Sequence, residues 1–256
     1  MDYHWHWGIL LAPSAVGDGT YLDWLLAGLR MTVALSLAAW VLALALGSLV
    51  GVLRTVPNRV LGALAAAYVE IFRNVPLLVQ LFLWYFVLPE LLPRAIGDAY
   101  KQSDPLVQQF AAAALCLGLF TSARIAEQVR AGIESLPAGQ RNAGLALGLT
   151  LAQTYRTVLL PVAFRIIVPP LTSELLNIFK NSSVCSTIGL LELTAQGRQL
   201  VDYTAQPYES FIAITLAYLL INALVMLVMH QVQVRTRLPG DPARGARASG
   251  TTAAAP

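Results

Sequence analysis

The sequence predicts an all-α polytopic membrane protein with about five transmembrane helices. Of its 256 residues, 57% are hydrophobic and only 12% are charged, whereas soluble domains carry about 25% charged residues. Five apolar stretches are each long enough to cross a hydrocarbon core of about 30 Å. They lie at about residues 31–53, 60–89, 106–130, 162–188 and 211–234. A net charge of +3 is too small to indicate a nucleic-acid partner.

The cations between these stretches predict how the chain is oriented. The loops at about 90–106 and 190–209 carry only Arg94, Lys101 and Arg198, and the first 23 residues are aromatic and acidic. The opposite side collects Arg54, Arg59, Arg130, Arg141, Arg156, Arg165, Arg235, Arg237, Arg244 and Arg247. The positive-inside rule makes that side cytoplasmic, so the N-terminus is predicted outside and the C-terminus inside. We expect an outer segment at 1–23, a transmembrane domain at 24–238 and a disordered cytoplasmic tail at 239–256.

The second apolar stretch contains a charge and a proline. Counted from the start of the stretch, Arg73 is about 13 residues in, or about 20 Å at 1.5 Å per residue. An intramembrane charge costs at least ~2.5 kcal/mol and needs a partner or water. Because Pro76 has no N–H, the carbonyl of Phe72 is predicted to be an open acceptor beside Asn74. Two interpretations stay open: a substrate site, or a structural ion pair of Arg73 with Glu70.

The fourth stretch carries a polar stripe. Glu174, Asn177 and Asn181 recur at i, i+3 and i+7, with Lys180 beside them, and such a stripe must face a bundle interior or a wet cavity. Counted from Pro169-Pro170, Lys180 is about ten residues, or about 15 Å, into the span. The stripe indicates either a translocation pathway or a subunit-interface network. The predicted substrate pathway comprises Arg73, Asn74, Pro76, Glu174, Asn177, Lys180, Asn181 and Ser182. Its cations Arg73 and Lys180 favour a dicarboxylate ligand.

The remaining polar groups do not suggest catalysis. The third stretch ends with Arg124, Glu127, Gln128 and Arg130, which we interpret as a structural salt-bridge cluster. No Ser/His/Asp, Cys/His or three-ligand metal grouping is evident, so the chain is not predicted to be an enzyme. Neither lysine is followed by Ser or Thr, so the chain shows no phosphate-binding P-loop of its own.

A polar segment separates the third and fourth stretches. It offers a face of small residues, Ala138, Ala143, Ala146 and Ala152, and Gly148 is predicted to break its helix. A polar helix on a short tether between spans indicates a contact point for a soluble partner on the cytoplasmic side.

Residues Gln140 to Pro161 resemble the EAA loop of ABC-importer permeases, whose coupling helix docks into the ATPase subunit. Further matching stretches are Ile71–Gln80, Val87–Pro93, Cys116–Arg124 and Lys180–Gly189. Together they closely resemble a permease subunit of bacterial glutamate/aspartate importers, in the polar amino acid uptake branch. The chain departs from the general motif at the EAA glutamate, replaced by Asn142, and at its second alanine, replaced by Gly144.

The resemblance implies the type I ABC importer permease fold with a cytoplasmic coupling helix, in the bacterial inner membrane. It implies a second homologous permease subunit in a heterodimer, a cytoplasmic ATPase dimer that uses the ATP, and a periplasmic amino-acid-binding protein. No cofactor is expected in this chain. The implied function is import of glutamate and aspartate by alternating access. The implied coupling residues are Gln140, Asn142, Ala143, Gly148, Gln153, Arg156 and Pro161.

Two alternative functions stay open at this point. One is a permease for another polar amino acid such as glutamine. The other is a stand-alone ion-coupled carrier, whose hallmark would be an inverted repeat with paired broken helices. We find no convincing internal repeat in the sequence.

Overall fold

The computed structural model describes residues 3–17 and 19–236 and is built from helices. The tail at 239–256, which we predict to be disordered, lies outside these residues. A short 3₁₀ helix spans Trp7–Leu11. It is followed by α1 (Tyr21–Leu53), α2 (Arg59–Asn74), α3 (Leu77–Phe82), a π turn (Leu83–Val87), α4 (Leu88–Leu91), α5 (Arg94–Lys101) and α6 (Pro105–Glu134). Then come α7 (Ala138–Ala146), α8 (Leu151–Thr154), a π turn (Tyr155–Leu159), α9 (Leu160–Asn181), a 3₁₀ segment (Ser182–Ile188), α10 (Leu193–Thr204) and α11 (Pro207–Thr236).

Four of these helical runs are long and apolar enough to cross a membrane: α1, α6, the run from Leu151 to Ile188, and α11. The predicted second span is not one helix. It consists of α2 and the segment Leu77–Leu91, which are bent by 104° at the break between them. Proline lacks a backbone donor and pushes the preceding residue into an extended conformation, and Val75 accordingly has φ −92° and ψ 129°. The count reaches the predicted five when the bent pair is one span.

The centre of the fold is the contact between α1 and α6. Ala43, Gly47 and Gly51 follow one another at four-residue spacing on the buried face of α1. A Cβ atom added at Gly47 would lie 2.7 Å from the Ser122 carbonyl oxygen, and one at Gly51 would lie 2.7 Å from that of Ala126. Small residues at this spacing let two helix backbones approach closely, as in other membrane helix pairs.

The predicted loop at 190–209 contains a helix, α10. Glu192 caps its N-terminus, because the carboxylate accepts hydrogen bonds from the backbone N–H groups of Thr194 (2.9 Å) and Ala195 (2.8 Å). Burial raises the pKa of the Glu192 carboxyl group, and these hydrogen bonds oppose that rise. The Thr32 hydroxyl of α1 accepts a hydrogen bond from the Leu193 N–H, so α10 is fixed to the N-terminal half of α1.

Candidate functional site

The break between α2 and α3 is closed by the side chain of Gln80. Its Nε2 donates to the carbonyl oxygens of Phe72 and Val75, both at 2.9 Å, and the side chain is buried. The prediction of an open acceptor at Phe72 is therefore wrong. Pro76 does remove a helical donor, but Gln80, one turn beyond the proline, supplies another.

Arg73 and Asn74 lie at the exposed end of α2. Asn74 donates to the Glu70 carboxylate at 2.9 Å, and no salt bridge joins Arg73 to any acidic residue within the described part of the chain. The structural ion pair between Arg73 and Glu70 is thus absent here. The Arg73 guanidinium is left available on the surface of the chain.

Glu174 of α9 is buried against α6. Its Oε1 accepts a hydrogen bond from Gln128 Nε2 at 3.0 Å, while its Oε2 has no hydrogen-bond partner among the described residues. Arg124 and Arg73 both lie within electrostatic range of this carboxylate. Arg124 is itself exposed, with its guanidinium carbon 4.8 Å from the centre of the Phe120 ring. The structure therefore brings the polar positions of the second, third and fourth stretches together around Glu174.

Lys180 lies level with the middle of α6. The depth we predict from Pro169-Pro170 uses a wrong starting point, since both prolines lie inside α9. The alignment of α9 with α6 gives the depth of Lys180 independently. Gln128 is paired with Glu174. Six residues along each of these antiparallel helices bring Lys180 to the level of Ser122, near the middle of the 30-residue helix.

The polar stripe of α9 is continuous because the helix runs unbroken to Asn181. Asn177 and Asn181 are half-buried and Lys180 is exposed, so these three reach the surface of the chain. Ser182 does not, because it is fully buried and its hydroxyl donates to the Phe179 carbonyl at 2.7 Å.

Only part of the predicted salt-bridge cluster on α6 forms. Glu127 is paired with Arg130 at 2.9 Å and with Arg54 at the end of α1, and Arg130 also reaches Glu134. Arg124 and Gln128 take no part in it and belong to the Glu174 group instead. This ion-pair chain ties the end of α1 to the end of α6.

The predicted coupling helix is α7. The helix ends at Ala146, and the predicted break is at Gly148, which adopts a left-handed φ of +81°. The Leu149 N–H donates to the Gly144 carbonyl oxygen at 3.2 Å. The small-residue face is exposed, and so are Leu145 and Leu147, the latter to 81%. An exposed apolar residue of this size on a polar segment indicates a contact surface.

The coupling helix is attached to the bundle at two points. Gly144 lies against Thr154, and a Cβ atom at position 144 would be 2.8 Å from the Thr154 methyl carbon. Glycine is therefore the residue that this packing accepts where the general motif has alanine. The Tyr155 hydroxyl donates to the Thr55 backbone carbonyl at 2.8 Å, which joins the segment to the end of α1.

The other predicted coupling residues differ in exposure. Asn142, Ala143, Arg156 and Pro161 are exposed, and Gln140 is half-buried. Gln153 is engaged locally, because its Oε1 accepts from the Thr150 N–H at 2.8 Å and completes the N-terminal cap of α8.

Comparisons with known proteins agree with this architecture. Residues 43–238 match the family described as binding-protein-dependent transport system inner membrane component. The chain is 57% identical to the glutamate/aspartate import permease protein GltJ of Escherichia coli K12 over 94% of its own length and 98% of that protein. It is 32% identical to the glutamine transport system permease protein GlnP of the same organism, over 84% and 93% of the two chains.

Solved structures show the same fold. A crystal structure of an amino acid ABC transporter with histidines superposes with a TM-score of 0.71 at 29% identity, over 84% of this chain and 95% of that one. The predicted resemblance and fold class are confirmed, and the chain is a multi-pass transport subunit rather than an enzyme. It belongs to the family of binding-protein-dependent transport system inner membrane components, the permeases of ABC importers.

Proposed function

We propose that this chain is a permease subunit of an importer for glutamate and aspartate. The observation that carries the proposal is its 57% identity, over nearly the whole of both chains, to a permease whose name gives these two substrates. The similarity to a glutamine permease is much lower, at 32%. Glutamine and related polar amino acids are therefore the competing substrates for the test below.

The side chains around Glu174 suit an acidic amino acid. Such a substrate has two carboxylates and one ammonium group. Arg73, Arg124 and Lys180 offer cations at the surface of the chain, and arginine binds carboxylates with two parallel hydrogen bonds. The buried Glu174 carboxylate supplies the complementary negative charge for the ammonium group. In this pathway the exposed groups contact substrate, while Ser182 supports the helix end.

A second permease subunit would cover this surface. Arg73, Asn74, Arg124 and Lys180 are exposed in the single chain, and Arg124 and Lys180 lie near the level of the middle of α6. A charge at that level facing lipid would cost several kcal/mol. A homologous permease packed against this face would remove the charges from lipid and enclose the pathway between the two chains. We favour a heterodimer, as in the importers that the sequence resembles.

We assign the N-terminus to the periplasm and the C-terminus to the cytoplasm, following the distribution of arginines. Residues 1–23 form the periplasmic segment, 24–238 the permease domain and 239–256 a cytoplasmic tail. This orientation points α7 toward a cytoplasmic ATPase dimer that hydrolyses the ATP, and points α10 toward a periplasmic binding protein. Movement of the ATPases then reaches α1 and α9 through the contacts of Tyr155 and Gly144.

The test is uptake of labelled glutamate into proteoliposomes that contain this chain, its partner permease and the ATPase, with binding protein outside and ATP inside. The perturbed sample carries Gly148→Pro. Proline holds φ near −65° and cannot reproduce the +81° of Gly148, nor the hydrogen bond from its N–H to Leu145. The matched control is Gly139→Pro, because proline is tolerated in the first turn of a helix and the space around Gly139 is open.

The expected result is ATP-dependent uptake of glutamate and aspartate that Gly148→Pro abolishes and Gly139→Pro retains. Arg73→Gln should reduce uptake of the acidic amino acids without preventing assembly. Uptake by this chain alone without ATP would overturn the importer assignment in favour of a carrier. An active assembly that imports glutamine and ignores glutamate would overturn the substrate alone.

A further inference from the structure

A cleft of about 500 Å³, lined by both apolar and polar side chains, lies at the end of the chain opposite α7. Its walls come from the end of the 3₁₀ segment, one face of α10 and the start of α11. Its polar lining residues are Ser186, Arg198, Gln199 and Asp202. The volume falls in the range of small-molecule sites in proteins, about 300–1,000 Å³.

Two opposite charges stand one helical turn apart in this cleft. Arg198 and Asp202 are separated by four residues on α10 and both are exposed. Neither forms a salt bridge with the other or with any charged residue between positions 3 and 236 that the structure describes. Such neighbours often pair across a helix turn. Left unpaired, they offer one cation and one carboxylate to the same ligand.

A row of hydroxyls connects the cleft to Lys180. In a 3₁₀ helix every third side chain lies on the same edge, so Ser183 and Ser186 share one edge of the segment, which begins just after Lys180 of α9 and ends just before Gly189. The Ser183 hydroxyl donates to the Lys180 carbonyl, and that of Ser186 donates to the Ser183 carbonyl, each at 2.7 Å. With their protons engaged, both hydroxyl oxygens present lone pairs outward as acceptors.

We infer that this cleft is an outer vestibule site for an α-amino dicarboxylate, on the way to the group around Glu174 deeper in the chain. The inference rests on the proposed function and on the outward placement of α10. Arg198 binds a carboxylate of the substrate and Asp202 its ammonium group. Beyond the cleft, the hydroxyl oxygens of Ser186 and Ser183 accept hydrogen bonds from the ammonium group, and Lys180 provides a cation. Polar groups therefore contact the substrate along the whole way.

The experiment uses a cysteine reporter in the assembled complex. Cys116 and Cys185 are both buried, so a thiol introduced at Ser186 is the reactive one among the described residues. Ser186→Cys is labelled with the neutral reagent N-ethylmaleimide, with and without free glutamate and in the absence of binding protein. Thr187→Cys, exposed on a different edge of the segment, is the control. Gln199→Cys on α10 is a second reporter if Ser186→Cys impairs assembly.

Glutamate should slow labelling of Ser186→Cys or Gln199→Cys about fivefold or more and leave Thr187→Cys unchanged. Adding Arg198→Gln should raise the half-protecting glutamate concentration about tenfold, equivalent to about 1.4 kcal/mol. Arg94→Gln, which removes another exposed cation from the same side of the chain, should have no effect.

Two results would overturn the vestibule. In the first, the complete assembly imports glutamate, but glutamate does not slow the labelling of either reporter cysteine; this result contradicts the vestibule and not the import function. The other is protection by unliganded binding protein but not by free glutamate, which would make the cleft a docking surface for that protein. Failure of the assembly to import glutamate at all is measured separately and counts against the proposed function.

Discussion

Replacing Gln80 with methionine should destabilise the break between α2 and α3. Methionine is similar in length but cannot donate, so Gln80→Met removes two hydrogen bonds of 2.9 Å from the half-buried carbonyl groups of Phe72 and Val75. A hydrogen bond within a protein contributes about 0.5–1.5 kcal/mol net, and measured values between membrane helices average about 0.6 kcal/mol. For two bonds we expect a loss of about 1–3 kcal/mol in the free energy of unfolding.

The assay is thermal unfolding of the permease–ATPase complex in nanodiscs. For a chain of this size, each kcal/mol lowers the Tm by about 2–4 °C. Gln102→Met, at an exposed position after α5, is the control and should melt like the wild type. Gln80→Glu should be at least as damaging as Gln80→Met, since an ionised carboxylate has acceptors only and would face two carbonyl oxygens.

A wild-type Tm in Gln80→Met would refute this account. It would mean that water or other groups satisfy the two carbonyls, and that Gln80 does not hold the bend. Uptake adds a second readout, because Arg73 sits at the end of α2 directly before the break. A stable variant with lost uptake would place the function of Gln80 in positioning rather than in stability.

Three further predictions concern other contacts. Gly47→Leu should lower the free energy of unfolding by about 1–3 kcal/mol, because the larger side chain overpacks the contact with α6. The control Ala45→Leu, on the exposed side of α1, should have the Tm of the wild type. Equal losses of stability in the two variants would contradict the close contact. Tyr155→Phe removes the bond to Thr55 and should lower the glutamate imported per ATP hydrolysed, and an unchanged ratio would show that this attachment is not part of the coupling. Arg124→Gln should reduce acidic amino acid uptake about tenfold while glutamine transport, where present, is unaffected; equal loss for both would mean that Arg124 acts on structure.

Local patterns explain which features the sequence predicts well. Apolar runs longer than 20 residues predict spans because the bilayer sets their length, and Gly148 marks a helix end because glycine accepts a left-handed φ. Pro76 likewise predicts the loss of a backbone hydrogen-bond donor. The donor that replaces it, Gln80, follows the proline in the sequence, and an amide side chain one turn after a proline is the signal that identifies it.

Long-range pairing explains what the sequence does not predict. On α6 the charges of Arg124, Glu127 and Arg130 are spaced for local salt bridges, and only part of that spacing is used. Gln128 instead bonds Glu174, 46 residues away, across a helix contact that no local rule specifies. When a membrane sequence is interpreted, polar residues within the spans should therefore be tested first as partners of polar residues on other spans, and only then as partners along the same helix.

The close contact between α1 and α6 also has a consequence for synthesis in the membrane. About 80 residues separate the ends of the two helices, which at 5–20 residues per second is a delay of about 4–16 s. During that time α1 is in the bilayer with Thr32, Ser36 and its glycine face uncovered. The mean hydropathy of α1 is high enough for it to stay in the bilayer alone. The less hydrophobic α6 then inserts against the small-residue face that α1 already presents. Substitutions on this face should therefore appear first as proteolysed, incompletely inserted chains, before any transport defect can be measured.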